Sequence, residues 1–112
     1  MSATIEVTSY ARVDVVTVAG RIDSNNASQL DEAFSQLADK DRYNLVLELS
    51  GVEYMSSAGL RALVTALRTA KRHNGDVRIA TPSERITEVL DLAGLTSLFQ
   101  VFGDITAAVG SY

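Results

Sequence analysis

The stretch Val52-Glu53-Tyr54-Met55-Ser56-Ser57-Ala58-Gly59-Leu60-Arg61 stands between two patterns of different period. Before it, Leu45-Val46-Leu47-Glu48-Leu49 is nearly continuous in apolar character, as in a central strand with both faces covered. After it, Leu60, Leu63, Val64, Leu67 and Ala70 recur at helical spacing. The stretch therefore turns a strand into a helix, and two hydroxyls fall where that helix begins. The first N–H groups of a helix lack intrahelical partners, so this end favours added negative charge.

Working outward, the same alternation repeats. Upstream, Ile5 and Val7 alternate with Thr4, Glu6 and Thr8 as a half-buried strand, and Val13, Val15, Val16 and Val18 form a second. Tyr10-Ala11-Arg12 is short enough to join them as a hairpin, and Gly20 is read as the close of the second strand. Asp23-Ser24-Asn25-Asn26 offers capping side chains to a helix whose apolar face is Ala27, Leu30, Ala33, Phe34, Leu37 and Ala38.

Downstream, Asn74-Gly75-Asp76 ends the second helix and Val77-Arg78-Ile79-Ala80 reads as a fourth strand. Pro82, the single proline, is placed in the first turn of a third helix marked by Ile86, Val89, Leu90 and Ala93 and stopped at Gly94. Leu98-Phe99-Gln100-Val101-Phe102 reads as a fifth strand, and Asp104 as the cap of a last helix through Val109. The expected fold is α/β: one domain over residues 1–112, a mixed sheet of about five strands opened by a hairpin and covered by about four helices. Strands separated by helices should run parallel through right-handed crossovers.

Composition narrows the functions. Hydrophobic residues make up 46% and charged residues 21% of the 112, the balance of a globular domain. The net charge of −4 disfavours nonspecific binding to nucleic acid. Without cysteine there is no disulfide, thiolate metal site or cysteine nucleophile. No apolar run approaches membrane-spanning length, so no membrane insertion is expected. Met1-Ser2-Ala3-Thr4 carries no signal-like pattern, and a cytoplasmic location is expected by elimination.

Catalytic readings fare poorly. The single histidine, His73, lies at the far end of the helix that Ser57 begins, about 24 Å away at 1.5 Å per residue. It reads as a solvated residue near a helix C-terminus, and no Gly-x-Ser-x-Gly elbow is present. Asp39 and Asp41 alternate with Lys40 and Arg42 and lack the pattern of a calcium loop, so no metal is expected. No glycine-rich loop with a lysine offers a nucleotide site. Arg61, Arg68 and Arg72 share a helix face, preferably read as solvated, alternatively as meeting an acidic partner.

The two serines remain. One of them suffices as an N-cap, which leaves the other in surplus. Ala58 and Gly59 are small enough to leave the backbone open to close approach by another protein.

At these residues the chain resembles the STAS-domain anti-sigma factor antagonists of bacterial partner-switching systems. The resemblance runs through the opening hairpin, Gly20-Arg21-Ile22-Asp23, Leu45–Leu49, Met55–Leu60 and Val89-Leu90-Asp91-Leu92-Ala93-Gly94-Leu95. The family loop reads Asp-Ser-Ser/Thr-Gly-Leu, and its first serine is phosphorylated. Matched by position, Ser57 takes the phosphoserine place, with Ser56 as second choice. Ser56 replaces the family aspartate, Ala58 the following hydroxyl residue, and Gly59 and Leu60 match.

The resemblance implies a partner-binding surface of Asp23, Ser24, Asn25, Ser56, Ser57, Ala58, Gly59 and Arg61. It also implies two partners, an anti-sigma factor that is a serine kinase of the GHKL type and a PP2C-type phosphatase. The chain itself would need no cofactor, since the kinase binds the ATP, and would not be an enzyme. Two other roles stay open: a structural STAS subunit of a stress-signalling or lipid-transport assembly, and a small-ligand sensor or enzyme using a pocket between sheet and helices.

Overall fold

The computed structural model describes residues 3–112. Two strands, β1 (Ala3–Tyr10) and β2 (Val13–Ile22), are followed by α1 (Ala27–Asp39), β3 (Asn44–Met55), α2 (Ser57–Arg72), β4 (Asp76–Ala80), α3 (Glu84–Leu92), β5 (Val101–Phe102) and α4 (Ile105–Gly110). The strands lie in the order β1-β2-β3-β4-β5. Only β1 is antiparallel to its neighbour; β2 through β5 are all parallel. The hairpin turns on two residues, with Ala11 at φ +51°.

Sequential parallel strands joined by crossovers of one hand place every crossover helix on one face of the sheet. The core follows that rule. Leu30 and Phe34 of α1, Leu63 and Leu67 of α2, and Ile86 and Leu90 of α3 pack on Val16, Val18, Leu47, Leu49 and Ile79. The other face is covered by α4 alone, where Ala108, Ile105 and Val109 meet Val13, Val15, Val46 and Ala80. Strand β3 is thus buried on both faces, which explains its unbroken apolar run.

The chain departs from the sequence reading in five places. Strand β3 continues past Leu49 to Met55, and β2 continues past Gly20 to Ile22. The two stay paired through two register shifts, where β3 carries more residues than β2, and Gly20, at φ +93°, sits at the second. Bulges break the period of two, so an alternating template loses the strand there. Pro82 precedes the helix instead of entering it, because Ser83 is the N-cap and its hydroxyl accepts from Ile86 N–H. Residues Thr96–Leu98 form one 3₁₀ turn, and β5 keeps only Val101 and Phe102. Asn26 occupies the N-cap position of α1 without a side-chain cap bond, so the helix lacks the side-chain cap expected from Asp23–Asn26.

Tyr112 ties together the starts of β3 and β4. The Tyr112 hydroxyl lies 2.6 Å from the Leu45 carbonyl and 2.7 Å from that of Asp76, and one proton serves both. The Arg78 guanidinium covers the Tyr112 ring at 3.9 Å and reaches the Asp76 carboxylate at 3.0 Å. Burial, and next the nearby Asp76 charge, push the phenol well above its ordinary value. Below the unfolded value, near 10, both states keep the proton and this stabilisation is complete. Above it the unfolded chain ionises first, and stability declines as pH rises toward the raised folded value. Tyr112→Phe should therefore cost about 1 kcal/mol at neutral pH and flatten the alkaline limb of a Tm-against-pH curve. An unchanged alkaline limb would mean that another group governs it.

Candidate functional site

The site is built where the ends of β2 and β3 run into their helices. Ser56 N–H donates to the Ile22 carbonyl at 2.8 Å, so the starts of the two connections are tied side by side. Asp23 and Asn26 then build the β2–α1 turn reciprocally. The Asp23 carboxylate accepts from the N–H groups of Asn25 and Asn26, at 2.9 and 3.0 Å. The Asn26 side chain accepts from Asp23 N–H at 2.8 Å and donates to the Arg21 carbonyl at 2.8 Å. Asp23 therefore shapes the turn ahead of α1. Ser24 and Asn25 are left exposed at its tip.

The two serines divide their roles. Ser56 is extended, at φ −75° and ψ 169°, and its hydroxyl accepts from Gly59 N–H at 3.2 Å, which makes it the N-cap of α2. Ser57 is the first helical residue, is exposed, and its hydroxyl makes no hydrogen bond among the described residues. No acidic residue occupies the first turn of α2. The positive end of the helix is thus uncompensated beside a free hydroxyl.

Gly59 corrects one expectation. It is buried, and a Cβ there would lie 2.7 Å from Met55 Cγ and 2.8 Å from Ile22 Cγ2. Its smallness admits the protein's own core, not another protein. Gly59→Ala should destabilise by about 1 kcal/mol, overpacking outweighing the gain in helix propensity, and Gly59→Val by more. A rise in Tm for Gly59→Ala would show that Met55 and Ile22 yield without strain. Ala58 is half-buried, and Arg61 projects into solvent one turn on. Ser24 of the β2–α1 connection, Ser28 of α1, and Ala58 and Arg61 of α2 line one shallow depression.

The structure therefore brings together the two segments that carry Asp23, Ser24, Asn25, Ser56, Ser57, Ala58 and Arg61, with Gly59 beneath them. The sequence reading offered Asn26 as a helix cap but did not place in the site either Asn26, whose bonds fix the turn, or Arg21, whose guanidinium stacks over the Tyr54 ring at 4.6 Å. The residues Asp23-Ser24-Asn25-Asn26 were all visible as turn formers, but which of them pair is set by geometry. His73 is exposed yet stacks on Tyr43, with ring centroids 4.0 Å apart, and its Nδ1 lies 2.9 Å from the Thr69 carbonyl. Among the described residues no group of three His, Cys, Asp or Glu side chains could hold a metal. No helix among them is long and apolar enough to cross a membrane.

A five-stranded mixed sheet with a capped helix start at the end of its central strand defines a class, and the chain belongs to it: residues 4–108 match the STAS domain family. The anti-sigma-B factor antagonist of Staphylococcus epidermidis is 28% identical over 101 residues, covering 90% of this chain and 94% of that protein. An anti-sigma factor antagonist from Mycobacterium paratuberculosis superposes with a TM-score of 0.88 at 26% identity, over 98% of this chain and 93% of the other. The anti-sigma factor antagonist SpoIIAA in its unphosphorylated form shares the fold, with a TM-score of 0.84 at 16% identity, over 95% of this chain and 93% of its own.

Proposed function

We propose that this chain is an anti-sigma factor antagonist whose binding is switched by phosphorylation of Ser57. The observation that carries the reading is the division of labour at the start of α2: Ser56 is engaged as the cap, and the Ser57 hydroxyl is exposed and unengaged. The names of its relatives support the antagonist role, and SpoIIAA has been solved in a phosphorylated form.

The physics of the switch is electrostatic. A phosphate adds about −1.5 to −2 charges at neutral pH. Within the domain, the bare N-terminus of α2 tolerates it. Within a packed interface the same charge must be stripped of water, which is costly unless a cation meets it. The unphosphorylated chain binds a GHKL-type anti-sigma kinase and frees the sigma factor. Phosphorylation by that kinase, which supplies the ATP site, releases the chain, and a PP2C-type phosphatase resets it. The chain is a substrate and a competitor and performs no catalysis.

The test is incubation of the protein with its cognate kinase and ATP, followed by mass spectrometry of the peptide spanning Tyr54–Arg61. Phosphate on Ser57 is expected. Phosphate on Ser56 would reverse the division of roles, and an unmodified peptide would remove the switch.

A further inference from the structure

Helix α2 holds four of the chain's ten basic residues and none of its fourteen acidic ones. In a chain of net charge −4 this is a strong local reversal. Lys71 reaches Asp76 at 3.5 Å, but among the described residues Arg61, Arg68 and Arg72 are in no ion pair. All three are exposed, and spacings of seven and four residues align them as one ridge about 16 Å long.

Beside the ridge runs the seam between α1 and α2. Its upper part is the depression that holds Ser24, Ala58 and Arg61, and its lower part is a cleft of about 110 Å³. Asp31, Ala62 and Thr65 line both, so the seam is continuous from the start of α2 toward Ala70. The cleft floor is apolar, made by Phe34, Leu45, Ala62 and Ala66. Arg61 stands on the rim of this apolar trough, Arg68 and Arg72 continue its line on the exposed face of α2 beside it, and the lining carboxylate, Asp31, lies on the α1 side. A segment that is apolar on the side facing the trough and acidic on the flank facing α2 complements that arrangement.

We propose that the α1–α2 seam docks an acidic amphipathic helix of the partner kinase, its apolar side in the cleft and its carboxylates on Arg61, Arg68 and Arg72. This rests on the proposed function and extends its interface from Ser57 toward the far end of α2. The groove length suits three turns of helix, the usual geometry of helix-in-groove recognition. Nucleic acid and anionic membranes also attract arginines, but neither brings a narrow apolar ridge to fill the trough beside them.

The probe is the purified kinase that phosphorylates Ser57, titrated with the full chain at low and high salt. The Arg68→Glu/Arg72→Glu double variant should weaken binding at least tenfold, mainly through a slower association rate, and lose most of the salt dependence. Thr65→Trp, which fills the cleft from its exposed rim, should weaken binding at least tenfold through faster dissociation. Circular dichroism establishes that both variants are folded. Ser57→Asp is the control arm. If it blocks binding while both groove variants bind like the parent, the docking proposal is overturned and the switch stands. If Ser57→Asp binds normally, or no kinase modifies Ser57, the switch reading fails and the docking proposal falls with it. Equally tight, Arg68- and Arg72-dependent binding to a DNA duplex or to phosphatidylserine vesicles would overturn the assignment to a protein helix.

Discussion

Ser57→Asp is expected to weaken binding to the kinase by about a hundredfold or more while leaving the domain folded and slightly more stable. The two effects have opposite signs for one reason. Ser57 is the exposed first residue of a helix whose first turn has no acid. A carboxylate there interacts favourably with the helix dipole, by about 0.3–1 kcal/mol. In the complex the same carboxylate must be desolvated, and a charge left buried and unpaired in an interface costs about 2–5 kcal/mol. A hundredfold loss corresponds to about 2.7 kcal/mol, within that range. Ser57→Ala should retain the parent affinity and resist phosphorylation.

Ser56→Ala gives the contrasting signature. It removes the acceptor for Gly59 N–H and should cost about 1 kcal/mol of stability with little direct effect on affinity. Calorimetry of the complex and thermal unfolding of the free chain separate the cases. A Ser57→Asp chain that binds the kinase like the parent, or a Ser56→Ala chain that is as stable as the parent, would contradict the assignment of roles.

How much of this was legible beforehand follows from which interactions are local. The helix starts at Ser57 and Ile105 were readable because caps act within three residues: Ser56 on Gly59, and Asp104 on Ala107. The topology was readable because β-branched and helical periods alternate along the chain. The continuation of β2 and β3 was not, because bulges answer to pairing with a neighbouring strand and leave no fixed period. The burial of Gly59 was likewise invisible. It depends on Ile22, which is thirty-seven residues away and is brought to Gly59 by its pairing with Met55 and by the Ser56 N–H bond to its carbonyl. A sequence shows that a glycine is small, not which side of the chain uses the space. The pairing of Asp14 with Arg42, twenty-eight residues apart, escaped for the same reason.

That pair is expected to carry the largest stability effect of any single polar contact. Asp14 lies in the buried face of β2 with only 1% of its side chain exposed. Its carboxylate is held by Arg42 Nε at 2.6 Å and by the Ser9 hydroxyl at 2.5 Å. Arg42 also donates through Nη2 to the Ala11 carbonyl at 2.7 Å, so one guanidinium joins the hairpin turn to the α1–β3 connection. Arg42→Ala leaves a buried carboxylate with the single Ser9 donor and should cost about 3 kcal/mol. At about 4 °C per kcal/mol, Tm should drop by about 12 °C.

The reciprocal change should be milder. The Arg42 side chain is 29% exposed, so in Asp14→Ala its guanidinium turns to water and the loss should be about 1–2 kcal/mol. Arg42→Lys keeps the charge but cannot bond the carboxylate and the Ala11 carbonyl together, and should fall between the two. The inequality is the test, because desolvation of the carboxylate, more than attraction within the pair, sets the cost. Equal losses for Arg42→Ala and Asp14→Ala in chemical denaturation would show that the Coulombic term dominates. A loss below 1 kcal/mol for Arg42→Ala would show that water reaches Asp14 once the arginine is gone.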